Sequence, residues 1–295
     1  MSAPVQLFDV PGPRGRMQQR ILAAVLAAIA LGLGFVAVHR LAEKGNFAPA
    51  KWTPFLQGVV WREYLIPGLQ HTLTAAALAI VLAGALGLVL GLGRLSQIAP
   101  IRWVCSVVVE FFRAVPVLVM MIFSFWLYAL YNVFPPSQLA LAGTVTGLTF
   151  YNGAVIAELI RAGVFSLPKG QAEAGLSIGL TESQTLRSIQ LPQALTAMLP
   201  ALVSQLVVIL KDSALGYQIT FAELLRQGEV LGSAYANIVP ALMVVALIFI
   251  LLNFGLSSAA QALERRLSRR GHVAGGTLAA DPIDVPVGGA PSATT

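Results

Sequence analysis

Charge is scarce in this chain. Only 11% of its 295 residues are charged, where soluble proteins average roughly a quarter, while 57% are hydrophobic and mean hydropathy is +0.77. A soluble domain is thereby excluded, and apolar runs of bilayer-crossing length make this an all-α, polytopic membrane protein with about six spans. Cysteine occurs once, at Cys105, which excludes an internal disulfide. With only His39, His71 and His272 as histidines, no zinc ligand set can be assembled and no cofactor is called for. No G-x-x-x-x-G-K-[ST] run occurs, so the chain has no phosphate cradle of that type. Asp212 is the only aspartate within a span and no nucleophile pairs with a base, which excludes an intramembrane protease. An ion-coupled secondary transporter of small polar solutes is the alternative class, although no clear internal repeat relates the two halves.

The formal net charge is +6, yet the basic residues sit in short loops and flanks rather than along an aromatic-interleaved face. They therefore mark membrane orientation and lipid contact, not nucleic acid. Placing the N-terminus inside puts twelve Lys and Arg in inner segments and five in outer ones, so both termini are expected in the cytosol of a multi-pass cell-membrane protein.

Residues 1–20 read as a cytosolic lead-in. Segment 21–64 holds the first span, Ile21 to Val38, and an outer loop whose Trp52, Trp61 and Tyr64 suit the membrane interface. A core follows over 65–258. Its first span, Thr72 to Gly93, carries Gly84, Gly87 and Gly91 on one face, a pattern that allows close helix approach. A stretch from Trp103 to Tyr131 is expected to bend at Pro116, where the ring frees a backbone carbonyl. Spans then run from Leu139 to Ile160, from Leu195 to Thr220 and from Ala236 to Ser258. Residues 259–295 are a basic segment and a tail, disordered from Gly271, that cannot bury enough surface to fold alone.

Between the fourth and fifth of these spans lies a polar island at 168–192. Ser166 and Pro168 suit a helix start, and Gly179 suits the left-handed residue that ends it. Thr181 and Gln184 have capping-box spacing for a second helix, which is expected to stop near Leu191 because of Pro192. Ala172, Ala174, Gly175 and Leu176 form a small surface around Glu173 that can seat another protein.

Ionisable side chains inside a span cost about 2.5–3.5 kcal/mol each, so each needs a partner, a cavity or a function. Lys211 and Asp212 interrupt the fifth span and suit either substrate recognition or a neutralised packing lock. Glu110 with Arg113, and Glu158 with Arg161, stand at i,i+3 near inner span ends, where packing and substrate contact are again both open.

Glu173-Ala174-Gly175, then Gly179, then Ile189-Gln190-Leu191-Pro192 resembles the EAA loop of ABC-importer permeases. Gly175 stands where that family usually has a second alanine. Gly68 to Leu73, Glu110 to Pro116, Ala157 to Gly163 and Leu210 to Leu215 are similar to successive blocks of the polar amino-acid branch, the histidine/glutamine/glutamate type. The resemblance covers about residues 65–258 and implies a permease of an ATP-driven amino-acid importer, not itself an enzyme. It further implies two ATPase subunits, a second permease, identical or related, and an extracytoplasmic amino-acid-binding protein. It makes Glu173, Ala174, Gly175, Gly179, Leu191 and Pro192 the ATPase-coupling residues. Lys211, Asp212, Glu158 and Arg113 are the substrate candidates, with a leaning to glutamate or aspartate.

Overall fold

The computed structural model describes residues 12–274; residues 1–11 of the expected lead-in and 275–295 of the expected tail lie outside the described residues. Helices and turns make up the described part, with no strand in it. Among the described residues five helices are long and apolar enough to cross a bilayer, and two further helices, joined at a 99° bend, pass that test only as a pair, as one broken span or a re-entrant loop.

Two compact units organise the chain. The first takes the described residues up to Thr74 together with Gly216–Phe249. It opens with α1 (Pro13–Glu43), whose start eight residues before Ile21 corrects the expected lead-in. Proline at the first position costs no hydrogen bond there, and the Arg and Gln that follow are good helix formers. None of the apolar window of α1 is buried within the chain.

After α1 come the short α2 (Pro49–Trp52) and α3 (Gly58–Val60), with a π-helical turn, Trp61–Leu65, leading into α4 (Ile66–Arg94). The indole N–H of Trp52 donates to the Asn46 carbonyl at 2.9 Å and that of Trp61 to the Phe55 carbonyl at 2.8 Å, so the interface tryptophans also hold the outer loop in shape. Val60 and Leu65 share a core with Leu224, Leu231, Ala241 and Val245. That core joins the start of α4 to α11 (Leu224–Ala234) and the first turns of α12 (Ile238–Ala274).

The second unit holds Ala75–Leu215 and the chain from Ile250. α5 (Ala99–Ala114) and α6 (Val117–Leu130) meet at Pro116, where the missing N–H and the ring end one helix and start the next at the 99° bend. The central element is α7 (Leu139–Phe165), with both faces covered over much of its length. α10 (Leu191–Asp212) packs along it and passes at Ser213 into a 3₁₀ turn, Ser213–Ile219, the interruption expected at Lys211 to Ser213.

The glycine face of α4 packs on α7. A Cβ on Gly87 would lie 2.6 Å from Ile156 Cγ2, and one on Gly91 3.1 Å from Ile160 Cβ. Gly84 has open space around it and takes no part. α12 runs past Ser258, through the basic segment, to Ala274, because Ala, Gln, Leu and Arg there sustain a helix after the apolar run ends.

Candidate functional site

The polar island forms a hinged arm. α8 (Gly170–Ser177) starts at Gly170, not at Ser166. Ser166 caps the end of α7 instead, and its hydroxyl donates back to the Gly163 carbonyl at 2.8 Å, because α7 is still winding when the chain reaches it. Gly179 ends α8 at φ +85°. The N–H of Leu180 donates to Gly175 O at 3.1 Å and that of Gly179 to Leu176 O at 3.0 Å, the paired bonds of a Schellman cap.

Thr181 then accepts from Gln184 N at 3.3 Å while the Gln184 side chain accepts from Thr181 N at 2.8 Å. This capping box starts α9 (Glu182–Thr185). The second helix does not stop near Leu191. It passes through a π-helical turn, Leu186–Gln190, and continues as α10, the wider turn leaving room for Pro192, which brings no N–H.

The surface of the arm also differs from the expected one. Gly175 is buried, and a Cβ there would lie 2.5 Å from Thr185 Cγ2. It therefore packs the two limbs of the arm together and is not part of the outward face. The outward face is Glu173 and Ala174 with Leu176 and Ile178, the last two 46% and 74% exposed. Pro192 is exposed and Leu191 half-buried. Gln193 ties the arm to α10 by donating to the Gln171 side chain at 3.0 Å.

Where α4, α5 and α7 meet, three guanidinium groups surround two carboxylates. Arg94, only 8% exposed, donates through Nη1 to Glu158 at 2.5 Å and through Nη2 to Glu110 at 3.1 Å. Arg113 reaches Glu158 at 3.4 Å and Glu110 at 3.9 Å, and Arg161 reaches Glu158 at 2.6 Å. The two i,i+3 pairs of the sequence are thus one centre joined by Arg94. A charge placed this deep is stable only when so surrounded.

Lys211 and Asp212 stand elsewhere. Lys211 is exposed and forms no ion pair among the described residues, and Asp212 is half-buried. Gln205 of α10 donates to Asn152 of α7 at 2.6 Å, which fixes the register of these antiparallel helices. Glu158 lies six residues from Asn152 toward the arm and Lys211 six residues from Gln205 away from it. At 1.5 Å rise per residue they are roughly 18 Å apart along the helices. The four substrate candidates therefore stand at two separate levels.

Three partners escaped the sequence reading. Arg94 falls one residue beyond the expected end of its span at Gly93, yet Gly87, Gly91 and Arg94 share one helical face, so the glycines that meet α7 point to its contact with Glu158. Gln205 carried no signal apart from its polarity within an apolar run. Glu223 caps α11, accepting from Leu225 N and Arg226 N, both at 2.7 Å, while Thr72 of α4 accepts from Leu224 N at 3.1 Å. It is fully buried, in the stretch of chain that links two spans. Burial pushes its carboxyl up to about 7, against the opposing pull of those two N–H groups and with a further push from the charge of Glu229.

Residues 83–269 match the family described as binding-protein-dependent transport system inner membrane component, and the chain belongs to that family. It is 52% identical to the glutamate transport system permease protein GluD of Corynebacterium glutamicum, over 77% of this chain and 83% of that protein. It is 32% identical to the glutamate/aspartate import permease protein GltK of Escherichia coli, over 69% and 93%. Among solved structures, an amino acid ABC transporter crystallised with histidines matches at TM-score 0.65 and 32% identity, over 72% of this chain and 98% of that one.

The chain is accordingly the permease subunit of an ATP-driven amino-acid importer in the inner membrane. It is not an enzyme: ATP is hydrolysed on separate ATPase subunits, and a substrate-binding protein completes the system.

Proposed function

We propose that this permease imports an acidic amino acid, glutamate or aspartate, and that ATP hydrolysis reaches it through the arm at 168–192. The observation that carries the substrate is the 52% identity to a glutamate permease, against 35% for a cystine permease and 34% for a glutamine permease of Bacillus subtilis. The core that carries this activity is 65–258, with 21–64 added before it and 259–295 after it. Both termini lie in the cytosol, on the twelve-to-five distribution of basic residues, so the arm lies there too. Two ATPase subunits and a second permease chain, identical or related, complete the pathway.

Glu173, Ala174 and Gly179, with the exposed Leu176 and Ile178, form the docking face, while Gly175, Leu191 and Pro192 set the shape of the arm that presents it. When the ATPases close, α8 is displaced, and α7 and α10, which carry the arm, re-orient with it. The amino acid meets two levels in turn, Lys211 and Asp212 first and then Glu158 and Arg113. A cation and an anion at each level suit a substrate that carries both signs. Such a switch needs contacts that differ between the two states.

The test is uptake of labelled L-glutamate into proteoliposomes holding the permease and ATPases, with the binding protein outside. Uptake is expected to require ATP in the lumen and to survive ionophores. Uptake without the ATPase that follows an ion gradient would replace this reading with the secondary-transporter alternative.

A further inference from the structure

A cavity of about 350 Å³ lies between the turn that joins α4 to α5 and the hinged arm, at the lower end of the ~300–1,000 Å³ of ligand pockets. Its walls bring together side chains from three stretches of the chain. Arg94 and Arg102 come from the α4 side, Ala172 and Leu176 from α8, and Glu182 and Gln190 from the second limb. The centre described above uses both terminal nitrogens of Arg94, but its Nε is buried without a hydrogen-bond partner. Such an orphan donor favours any acceptor that reaches it. Arg102 is pinned to the same turn by a bond from Nη1 to the Ser96 carbonyl at 3.0 Å, which leaves its other donors for a ligand.

The remaining donors of Arg102, the unpartnered Nε–H of Arg94 and the carboxylate of Glu182 around this cavity complement a molecule with two carboxylates and one ammonium. We propose that this cavity is a regulatory site for the imported acidic amino acid, with carboxylates at Arg102 and Arg94 and the ammonium at Glu182. The assignment rests on the import reading, which puts this face in the cytosol. Because Ala172 and Leu176 are part of the wall, an occupant bridges α8 to the α4–α5 turn and holds the arm in one position. Accumulated product then slows its own import by restraining the element that the ATPases move.

Two measurements test this. L-glutamate is titrated into the purified permease–ATPase complex without binding protein, beside glutarate, which lacks the ammonium, and L-glutamine, which lacks the second carboxylate. In proteoliposomes, millimolar L-glutamate is placed in the lumen with ATP. L-glutamate is expected to bind more tightly than either analogue and to slow uptake. Arg102→Ala should raise the luminal concentration for half-inhibition about tenfold or more through loss of a charge-assisted pair, with uptake unchanged when the lumen holds none. Arg102→Lys should restore part of the inhibition, and Glu182→Gln should remove the preference for glutamate over glutarate. Luminal glutamate without effect, or Arg102→Ala inhibited like the parent, would overturn the site while leaving the import reading in place. Arg102-dependent binding in a complex that imports no acidic amino acid would keep the site and overturn the import reading.

Discussion

Arg94 is the residue on which most of the charge centre depends. It sits between Glu158 and Glu110 with only 8% of its side chain exposed, and removing it leaves Glu158 with fewer donors in a largely buried place. Arg94→Ala is expected to destabilise the fold by about 1.5–3 kcal/mol, the cost of a lost hydrogen bond to a charged group, short of stranding a buried charge because Arg161 and Arg113 still reach Glu158. Arg94→Lys should recover little of that loss, since an ammonium cannot serve two carboxylates in the planar geometry of a guanidinium. Thermal unfolding of the detergent-solubilised chain measures both.

Glu223 makes a different prediction. Its folded carboxyl titrates near 7 rather than 4.5, so the folded state holds a proton that the unfolded state has already released. Stability from this group is therefore greatest below about 4.5 and is lost as pH rises through about 7. The full swing is about 3 kcal/mol at roughly 1.4 kcal/mol per pH unit of displacement. Glu223→Gln carries no charge and keeps one acceptor oxygen, enough for one of the two N–H groups of Leu225 and Arg226. It should flatten this part of the melting temperature's pH dependence; an unchanged slope would show that the carboxyl does not titrate there.

At the scale of elements, the arm shows what sequence discloses and what it conceals. Its caps were legible because each is a local device: Gly179 takes φ +85°, and Thr181 and Gln184 close a box over three residues. The end of the second helix was not, because proline stops a helix only if the preceding turn stays α-helical, and here it widens to a π turn. The packing of Gly175 on Thr185 was hidden for a related reason, since small residues read alike whether they face a partner or another limb. Arg94 and Glu158, far apart in sequence, meet only once α4 lies on α7. The spans themselves were legible from length and apolarity alone. A consequence follows for the arm: Gly175→Val forces a side chain into the space 2.5 Å from Thr185 Cγ2 and should splay the two limbs. Gly179→Val leaves that packing intact but places a β-branched residue at positive φ, costing about 1–2 kcal/mol. Co-purification of the ATPase subunits should fall sharply for the first and moderately for the second; full recovery of ATPase with both would mean that the shape of the arm does not set docking.

For the whole molecule, the open question is why α1 is present. The family match begins at residue 83, and α1 buries none of its apolar window within the chain, so nothing in its packing supports the core. Its effect is best read through topology. Without α1 the first span is α4, with Lys44, Lys51 and Arg62 before it and Arg94 and Arg102 after it. Those flanks are too evenly basic to orient a span by charge. With α1 in place, residues 44–65 are carried across between two spans, whereas without it Lys44, Lys51 and Arg62 would have to cross ahead of α4 unaided. Deleting residues 1–43 should therefore divide the protein between two orientations, read by the accessibility of a cysteine introduced on the exposed Ile178 of the arm after Cys105→Ser. Uptake per correctly oriented molecule should remain near the parent's. Loss of uptake with orientation preserved would instead make α1 a working part of the transport core.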